Sequence, residues 1–462
     1  MEKIKAEEIV KATGGKLLKG DPQTAVTGIS IDTRTLSEGM AFFALKGEKT
    51  DGHAFLNDAA RAGSAALIIE KEDILLSDFS CPDSTAIIKV DNTEQALQEL
   101  AAWYLSLFDI RKIGITGSTG KTSTKEMLFY ILSEKYKTIR NQGNYNNLIG
   151  LPLSVFQVDK NTEAAIFEMG MDRLGEIHRL AEIVRPNAAI ITNIGVSHLE
   201  RLGSRENILK AKTEICDFFK KDNTLIVNGD DDLLSKNHSN GNYNFISVGK
   251  KEGSELRIAE LKDLSEKGIE FCLITGNKRV KYCINSPGVH NSTNGALAVA
   301  AALLFDVSME QAALGLARFF SSDKRLNIIS GNGIKIIDDT YNASPDSMKA
   351  ALEVLSSAAG IRKIAILGDM FELGDEEEEF HRSIGEYASQ KGINVLLSVG
   401  KNAKQISLGA QGGKVKTSHF ENKDMLIAAL PQWIIEGDTI LVKGSRGMEM
   451  DEIVKYLKDT GE

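Results

Sequence analysis

Gly114-Ile115-Thr116-Gly117-Ser118-Thr119-Gly120-Lys121-Thr122 is the stretch that decides the fold. It follows the apolar run Lys112 to Thr116, which predicts a strand, and precedes Ser123 to Lys135, whose spacing predicts a helix. A glycine-rich turn between strand and helix aims backbone N–H groups inward, and the helix start adds the positive end of its dipole. Such a turn cradles phosphate oxygens. Lys121 offers a point charge to terminal phosphates and Thr122 a hydroxyl to Mg²⁺. The strict P-loop pattern places a glycine five positions before Gly120, where Ile115 stands; Gly114 and Gly117 straddle that position. A plain helix-capping turn explains the glycines but not Gly-Lys-Thr at the helix start.

Outward from the loop, short apolar runs alternate with helical periodicity. Lys112 to Thr116, Ala164 to Glu168, Ala188 to Asn193 and Thr224 to Asn228 read as strands of one parallel sheet with crossover helices. A second series begins near Gly333, with strands at Ile334 to Asp338, Lys363 to Leu367, Asn394 to Val399 and Thr439 to Val442. Before the loop the pattern is less regular. Ala41 to Leu45 reads as a strand and Thr93 to Phe108 as an amphipathic connecting helix. Single cores stop growing beyond about 250–300 residues, so 462 residues imply several domains. The expected fold class is α/β in three parts: a small N-terminal α/β domain over residues 1–108, a central P-loop domain with a doubly wound, mainly parallel sheet over 109–320, and a Rossmann-like α/β domain over 321–462. The acidic run Asp375 to Glu379 falls where a helix should begin, so the dipole accounts for it.

Hydrophobic residues at 42% and charged residues at 26% exclude a disordered or fibrous chain. A net charge of -9 argues against a nucleic-acid partner, while leaving room for a local phosphate pocket. Cys81, Cys216, Cys272 and Cys283 form no C-x-x-C pair, which gives no sign of a zinc site or disulfide framework. The charged start Met1 to Glu8 lacks an apolar export segment, and no apolar run is long enough to span a bilayer. A cytoplasmic protein, neither exported nor inserted in a membrane, is expected.

Three more positions join the loop by the same reasoning. Glu168 ends an apolar strand, where a carboxylate faces the crevice at the carboxyl edge of a parallel sheet and can hold Mg²⁺. Asn193 and His198 follow the next strand, and a neutral imidazole can complete a metal shell. A strand-end glutamate in solvent and a structural histidine are the plain alternatives, which lose ground because both residues fall at one sheet edge. Lys212 reads from spacing alone as a solvated helix lysine.

The loop Thr116 to Thr122, Glu168-Met169-Gly170, Thr192 to Gly195 with His198, and Pro287-Gly288-Val289-His290-Asn291-Ser292-Thr293-Asn294 occur in the order seen in the Mur ligase family. The resemblance runs from Asp32-Thr33-Arg34, Lys46-Gly47 and Asp51-Gly52-His53 to Lys443-Gly444-Ser445-Arg446-Gly447. Within the family, Gly143 to Pro152, Asp338 to Pro345 and Leu367 to Gly374 are similar to the branch that adds D-alanyl-D-alanine. Ser344 departs from it, since asparagine is more usual there. The Asp-Asn-Pro-Arg segment of the diamino-acid-adding branch is absent.

The resemblance implies an ATP-dependent ligase of peptidoglycan precursor synthesis, joining D-alanyl-D-alanine to UDP-N-acetylmuramoyl-tripeptide, soluble and monomeric. It implies Asp32, Arg34, Lys46 and Asp51 as uridine-nucleotide positions. Gly117, Ser118, Thr119, Gly120, Lys121, Thr122 and Asn193 would hold ATP, with His290, Asn291 and Asn294 near its base and Arg325 and Asp339 added from the third domain. Mg²⁺ would be held by Thr122, Glu168 and His198. Lys212 matches the lysine that CO₂ converts to a carbamate and metal ligand, with Lys210 two positions away. Lys121, Glu168, His198 and Lys212 form the implied catalytic set. Tyr341, Asn342 and Ser344 are implied for the amine substrate. Asn146 and Asn147, placed just past the loop helix, are candidates for the peptide acceptor or simply parts of a turn. A folylpolyglutamate synthase, another Mur-type ligase, or a nucleotide switch without ligase activity are the competing readings. For the switch, the guanine-reading Asn-Lys-x-Asp segment is missing.

Overall fold

The computed structural model of the chain describes residues 1–47, 49–71, 81–236, 242–321 and 324–459. Parallel strands covered on both faces read as nearly continuous apolar runs, and Ala164–Glu168 is buried at all of its positions, apolar up to its terminal Glu168. It belongs to a sheet ordered Lys278–Ile284, Ile269–Thr275, Leu256–Asp263, Asn244–Gly249, Thr224–Asn228, Ala188–Ile191, Arg111–Thr116, Ala164–Glu168, Thr138–Arg140. One face carries the helices Lys121–Leu132 and Asn291–Leu303. The other carries Thr93–Ser106, Gly150–Val155 and Glu176–Val184. Two further multistranded sheets flank it, and Ile4–Lys5 pairs with Ala25–Val26 in a separate two-stranded ribbon. The first runs Lys16–Lys19, Ala86–Lys89, Ala66–Ile69, Met40–Phe43, Gly28–Ser30; the last runs Asn327–Gly331, Ile334–Asp339, Thr439–Lys443, Lys363–Gly368, Val395–Val399, Lys416–Phe420. Both are mainly parallel. The expected three-part α/β class is therefore found. Among the described residues, no helix is long and apolar enough to cross a membrane.

Three sequence expectations shift. The loop helix runs over Lys121–Leu132 and thus starts inside the loop motif. Asn146 and Asn147 do not follow it directly, because the strand Thr138–Arg140 intervenes. Leu256–Asp263, Ile269–Thr275 and Lys278–Ile284 form an antiparallel extension that the sequence reading did not anticipate. Charges such as Lys262, Asp263, Lys278 and Arg279 interrupt the two outer strands, whereas Ile269–Thr275 between them holds the apolar run Phe271 to Ile274, a strand signal that the sequence reading passed over.

Helix Thr93–Ser106 connects the first sheet to the central one, and its buried residues belong to one core with both. Tyr104 on it donates its hydroxyl to Val158 O at 2.7 Å and accepts Glu2 N at 2.7 Å. The loop helix is seated against Met309–Ala317 at Gly315, where a Cβ would lie 2.6 Å from Ile131 Cα.

Strand register brings the chemistry to one edge. Glu168 pairs with Ile115 and Ile191 with Thr116, so the chain leaves three adjacent strands at one level. In the last sheet Asp339 pairs with Lys443 at the corresponding ends. Beneath the central edge lies a fully buried cation. Lys125, one turn beyond Lys121, is 0% exposed, donates to Asn141 O at 2.8 Å and lies 3.4 Å from Glu168 Oε2. Asn141 is equally buried and ties its side chain to Glu168 N, Glu168 O and Tyr145 O.

Burial pushes Glu168 toward protonation, but Lys125, then Lys121, then the Asn146 hydrogen bond and Arg325 hold it below its ordinary 4.5. A carboxylate depressed in the folded state adds stability above its unfolded pKa, and that stability is lost as pH falls through the folded value. Removing Lys125 raises the folded pKa. Lys125→Met is expected to lose about 3 kcal/mol near pH 7, with the deficit narrowing toward about pH 4 as Glu168 protonates in the variant. Urea unfolding in metal-free buffer across that window tests this, and a pH-independent deficit would refute the pairing. Gly315→Val should overpack the helix crossing and cost about 2 kcal/mol, read as a lowered thermal midpoint; an unchanged midpoint would show that the crossing yields.

Candidate active site

One cavity of about 920 Å³ opens between the carboxyl edges of the central and last sheets. The glycine-rich loop forms its floor. Gly117 and Gly120 have φ of 150° and 78°, and a Cβ on Gly120 would lie 2.6 Å from Asn294 Oδ1. Residues 192–195 clamp the loop from behind. Thr119 N donates to Asn193 Oδ1 at 2.9 Å, Asn193 Nδ2 donates to Thr119 Oγ1 at 2.7 Å, and Gly195 N donates to Ser118 Oγ at 2.9 Å. Asn193, expected as a nucleotide contact, therefore also shapes the loop from its place at the cavity wall. Lys121 Nζ donates to Gly117 O at 2.6 Å. Burial pulls its pKa down against the attraction of Glu168.

Thr122 Oγ1 donates to Glu168 Oε2 at 3.0 Å, and Asn146 Nδ2 donates to Glu168 Oε1 at 2.8 Å. Hydroxyl and carboxylate oxygens gathered this way suit a hard divalent cation such as Mg²⁺. His198 lines the same cavity at φ 65°, its Nδ1 2.7 Å from Glu372 Oε2 and 3.3 Å from Asp172 Oδ1. The imidazole thus bridges the central wall to a loop of the last sheet. Lys212 also reaches the cavity and is 2% exposed, whereas Lys210 is exposed. Burial, and then repulsion from Lys121, lower the Lys212 pKa well below its usual range. Its Nζ has no hydrogen-bond or ion-pair partner among the described residues.

At the start of helix Asn291–Leu303, His290, Asn291 and Asn294 face the loop. Asn291 Nδ2 donates to Pro287 O at 2.9 Å and Asn294 Nδ2 to Asn291 Oδ1 at 3.2 Å. Burial holds His290 toward the neutral imidazole.

The opposite wall belongs to the last sheet. Arg325 donates from Nη2 to Thr122 Oγ1 at 3.1 Å and stacks its guanidinium 3.9 Å from the Tyr341 ring centre. Asp339 accepts from Leu326 N at 3.2 Å and from Lys443 Nζ at 2.5 Å, and Lys443 also donates to Asn342 O at 2.8 Å. Ser344 lines the cavity just before helix Pro345–Ser357, and its N–H and hydroxyl are bonded to Ser347 Oγ at 2.9 and 3.2 Å. Asn147 Oδ1 accepts Gly150 N at 2.8 Å, so the turn reading describes its oxygen even though the residue lines the cavity.

The four N-terminal candidates stand apart from this cavity. Asp32 forks onto Arg34 at 2.6–3.1 Å, which holds its carboxyl down at about 2. Lys46 and Asp51 form an isolated antiparallel bridge, and Asp51 accepts from His53 N at 3.0 Å and pairs with Lys71 at 2.7 Å.

Sequence reasoning missed Lys125 and Asn141, which support Glu168 from below, and Asp172 with Glu372 around His198. Lys125 carried a usable signal, because position i+4 from Lys121 on a helix shares its face. Lys443 and Arg446 sat in a quoted motif without a role, although strand-end logic had already selected Glu168.

Family comparison agrees with this geometry. The model described as "Mur ligase family, catalytic domain" matches residues 25–104, "Mur ligase middle domain" 115–302, and "Mur ligase, glutamate ligase domain" 324–446. The chain is 41% identical over 439 residues to the UDP-N-acetylmuramoyl-tripeptide--D-alanyl-D-alanine ligase of Bacillus subtilis, covering 94% of each chain. It is 32% identical to a crystal structure of MurF from Acinetobacter baumannii, with a TM-score of 0.91 over 99% of each chain. MurF from Thermotoga maritima in complex with ADP is 27% identical with a TM-score of 0.82, covering 94% of this chain and 97% of that one. The chain belongs to the Mur ligase family.

Proposed function

We propose that the chain joins D-alanyl-D-alanine to UDP-N-acetylmuramoyl-tripeptide at the expense of ATP, releasing ADP and phosphate. The carrying observation is the single cavity in which the phosphate loop and the strand-end Glu168 meet Arg325 and Tyr341 of the facing sheet. Near-full-length identity to ligases bearing that name, and likeness to an ADP complex, support substrate and nucleotide.

A carboxylate is a poor electrophile, so amide formation requires its prior conversion to an acyl phosphate. Lys121 and the loop N–H groups neutralise charge on the transferring γ-phosphoryl as the substrate carboxylate attacks in line, which makes the step one of positioning and electrostatics. The dipeptide amine then attacks the acyl carbon, and the tetrahedral intermediate collapses with loss of phosphate. Water would hydrolyse the acyl phosphate, so the Arg325 to Thr122 contact across the cavity fits a closed arrangement that excludes solvent. Thr122, Glu168 and His198 would hold Mg²⁺, which supplies neutralisation of phosphate charge. Lys212 is the better carbamate candidate than Lys210. A buried lysine with no acidic partner favours the neutral amine, the form that adds to CO₂, and the carbamate would exchange a repelling cation for an anion. The first sheet, with Asp32, Arg34, Lys46 and Asp51, would take the uridine nucleotide, and the last would take the amine. A monomer working in the cytoplasm completes the reading.

Phosphate release should require ATP, the dipeptide and the uridine-linked tripeptide together, with a product mass equal to tripeptide plus dipeptide less water. Release with a folate, or with a single amino acid only, would defeat the reading. Lys121→Ala should lower kcat by about 100- to 1,000-fold. With isotope-labelled bicarbonate, a carbamate carbonyl resonance should appear in the wild type and in Lys210→Gln but not in Lys212→Gln. A resonance that persists in Lys212→Gln would reassign the modification.

A further inference from the structure

The last sheet lines its side of the cavity with several cations, and all but one are already engaged. Lys443 is held by Asp339 and Asn342 O. Arg325 points across to Thr122. Lys324, close by, is paired with Asp451 at 2.8 Å. Arg446 differs. It is exposed and lines the cavity, and its guanidinium has no acid or hydrogen-bond acceptor among the described residues. Its nearest aromatic partner is Tyr341, whose ring centre is 5.7 Å from its guanidinium carbon. Tyr341 thus has two guanidiniums near its ring, that of Arg325 bonded to the nucleotide loop and that of Arg446 without such a bond among the described residues.

The backbone beneath Arg446 is fixed while the side chain is left available. Ser445 N donates to Asp369 O at 2.9 Å, Ser445 Oγ accepts Phe371 N at 2.9 Å, and Arg446 N donates to Asn342 Oδ1 at 3.3 Å. A planar fork on a rigid base, facing the cavity from the wall opposite the phosphate loop, matches a carboxylate ligand. The reaction proposed above offers one. The incoming dipeptide must present its amine to the acyl carbon while its own carboxylate is kept from the phosphate dianion, and the opposite wall is where such a group escapes that repulsion.

We propose that Arg446, steadied beside Tyr341, binds the free carboxylate of the incoming dipeptide and so selects amines that carry one. This rests on the ligase reading and adds the residue that recognises the substrate's acidic end.

The test compares D-alanyl-D-alanine with D-alanyl-D-alaninamide, which keeps the amine and lacks the charge. Wild-type enzyme should prefer the dipeptide by about 10- to 100-fold in kcat/KM, the range of one charge-assisted contact. Arg446→Met should lose that preference, mostly through KM for the dipeptide, with amide turnover and KM for ATP little changed. Arg446→Lys should retain part of it. A methionine variant that keeps the wild-type preference, or loses both substrates equally, would overturn the assignment. Wild-type enzyme that used neither amine would overturn the ligase reading and this inference with it.

Discussion

Glu168 must remain an anion while 2% exposed, and much of the central domain's edge is arranged around that requirement. Burying a carboxylate is costly unless cations and hydrogen-bond donors surround it. Here Lys125 lies below it, Thr122 and Asn146 donate to its two oxygens, and Lys121 and Arg325 add attraction from the loop and the facing wall. The same contacts set positions as well as charge. Thr122 fixes the loop helix relative to the neighbouring strand, and Asn146 holds the turn before helix Gly150–Val155. Arg325 brings the last sheet to the central edge. A single electrostatic constraint thus links elements that are far apart in sequence.

Legibility in the sequence followed the physics of each element. Strands buried on both faces announced themselves, since Ala188–Ile191 and the run from Ala164 to Phe167 are apolar throughout. Strand ends were equally legible, because parallel topology alone puts Glu168 and His198 at the edge where the glycine loop lies. The antiparallel extension over 256–284 was legible only in part, since Ile269–Thr275 holds the apolar run Phe271 to Ile274 while its neighbours are broken by exposed charges and by a register shift between Ala259 and Lys262. The enclosure of Lys212 was illegible for a different reason, and the i+4 spacing of Lys125 from Lys121 marked a shared face without marking its depth. Lysine in a helix is ordinarily solvated, and only the packing of neighbouring elements decides that these two are enclosed.

That contrast separates two uses of buried lysine on one sheet. Lys125 has acids at 3.4 and 3.5 Å and a carbonyl at 2.8 Å, so its charge is compensated and its role is to hold Glu168. Lys212 has no such partners among the described residues, and Lys121 repels it. Lys125 meets acids and a carbonyl, whereas the surroundings of Lys212 oppose the ammonium. Similar burial thus sets two different electrostatic surroundings, and the carbamate proposed for Lys212 rests on the lack of a compensating acid among the described residues.

The facing wall divides its labour in the same way. Lys443, bonded to Asp339 and to the carbonyl of Asn342, is a strut; its charge is cancelled and its nitrogen ties two strand ends to the turn that follows. Arg325 crosses the cavity and ties wall to loop. Only after those cations are committed does a free guanidinium become informative, since a surplus cation at a rigid turn has no structural purpose that the fold reveals. On the proposed role of Arg446, specificity rests less on the phosphate loop, which any member of the fold can share, than on which charges of the facing wall are left for substrate to satisfy.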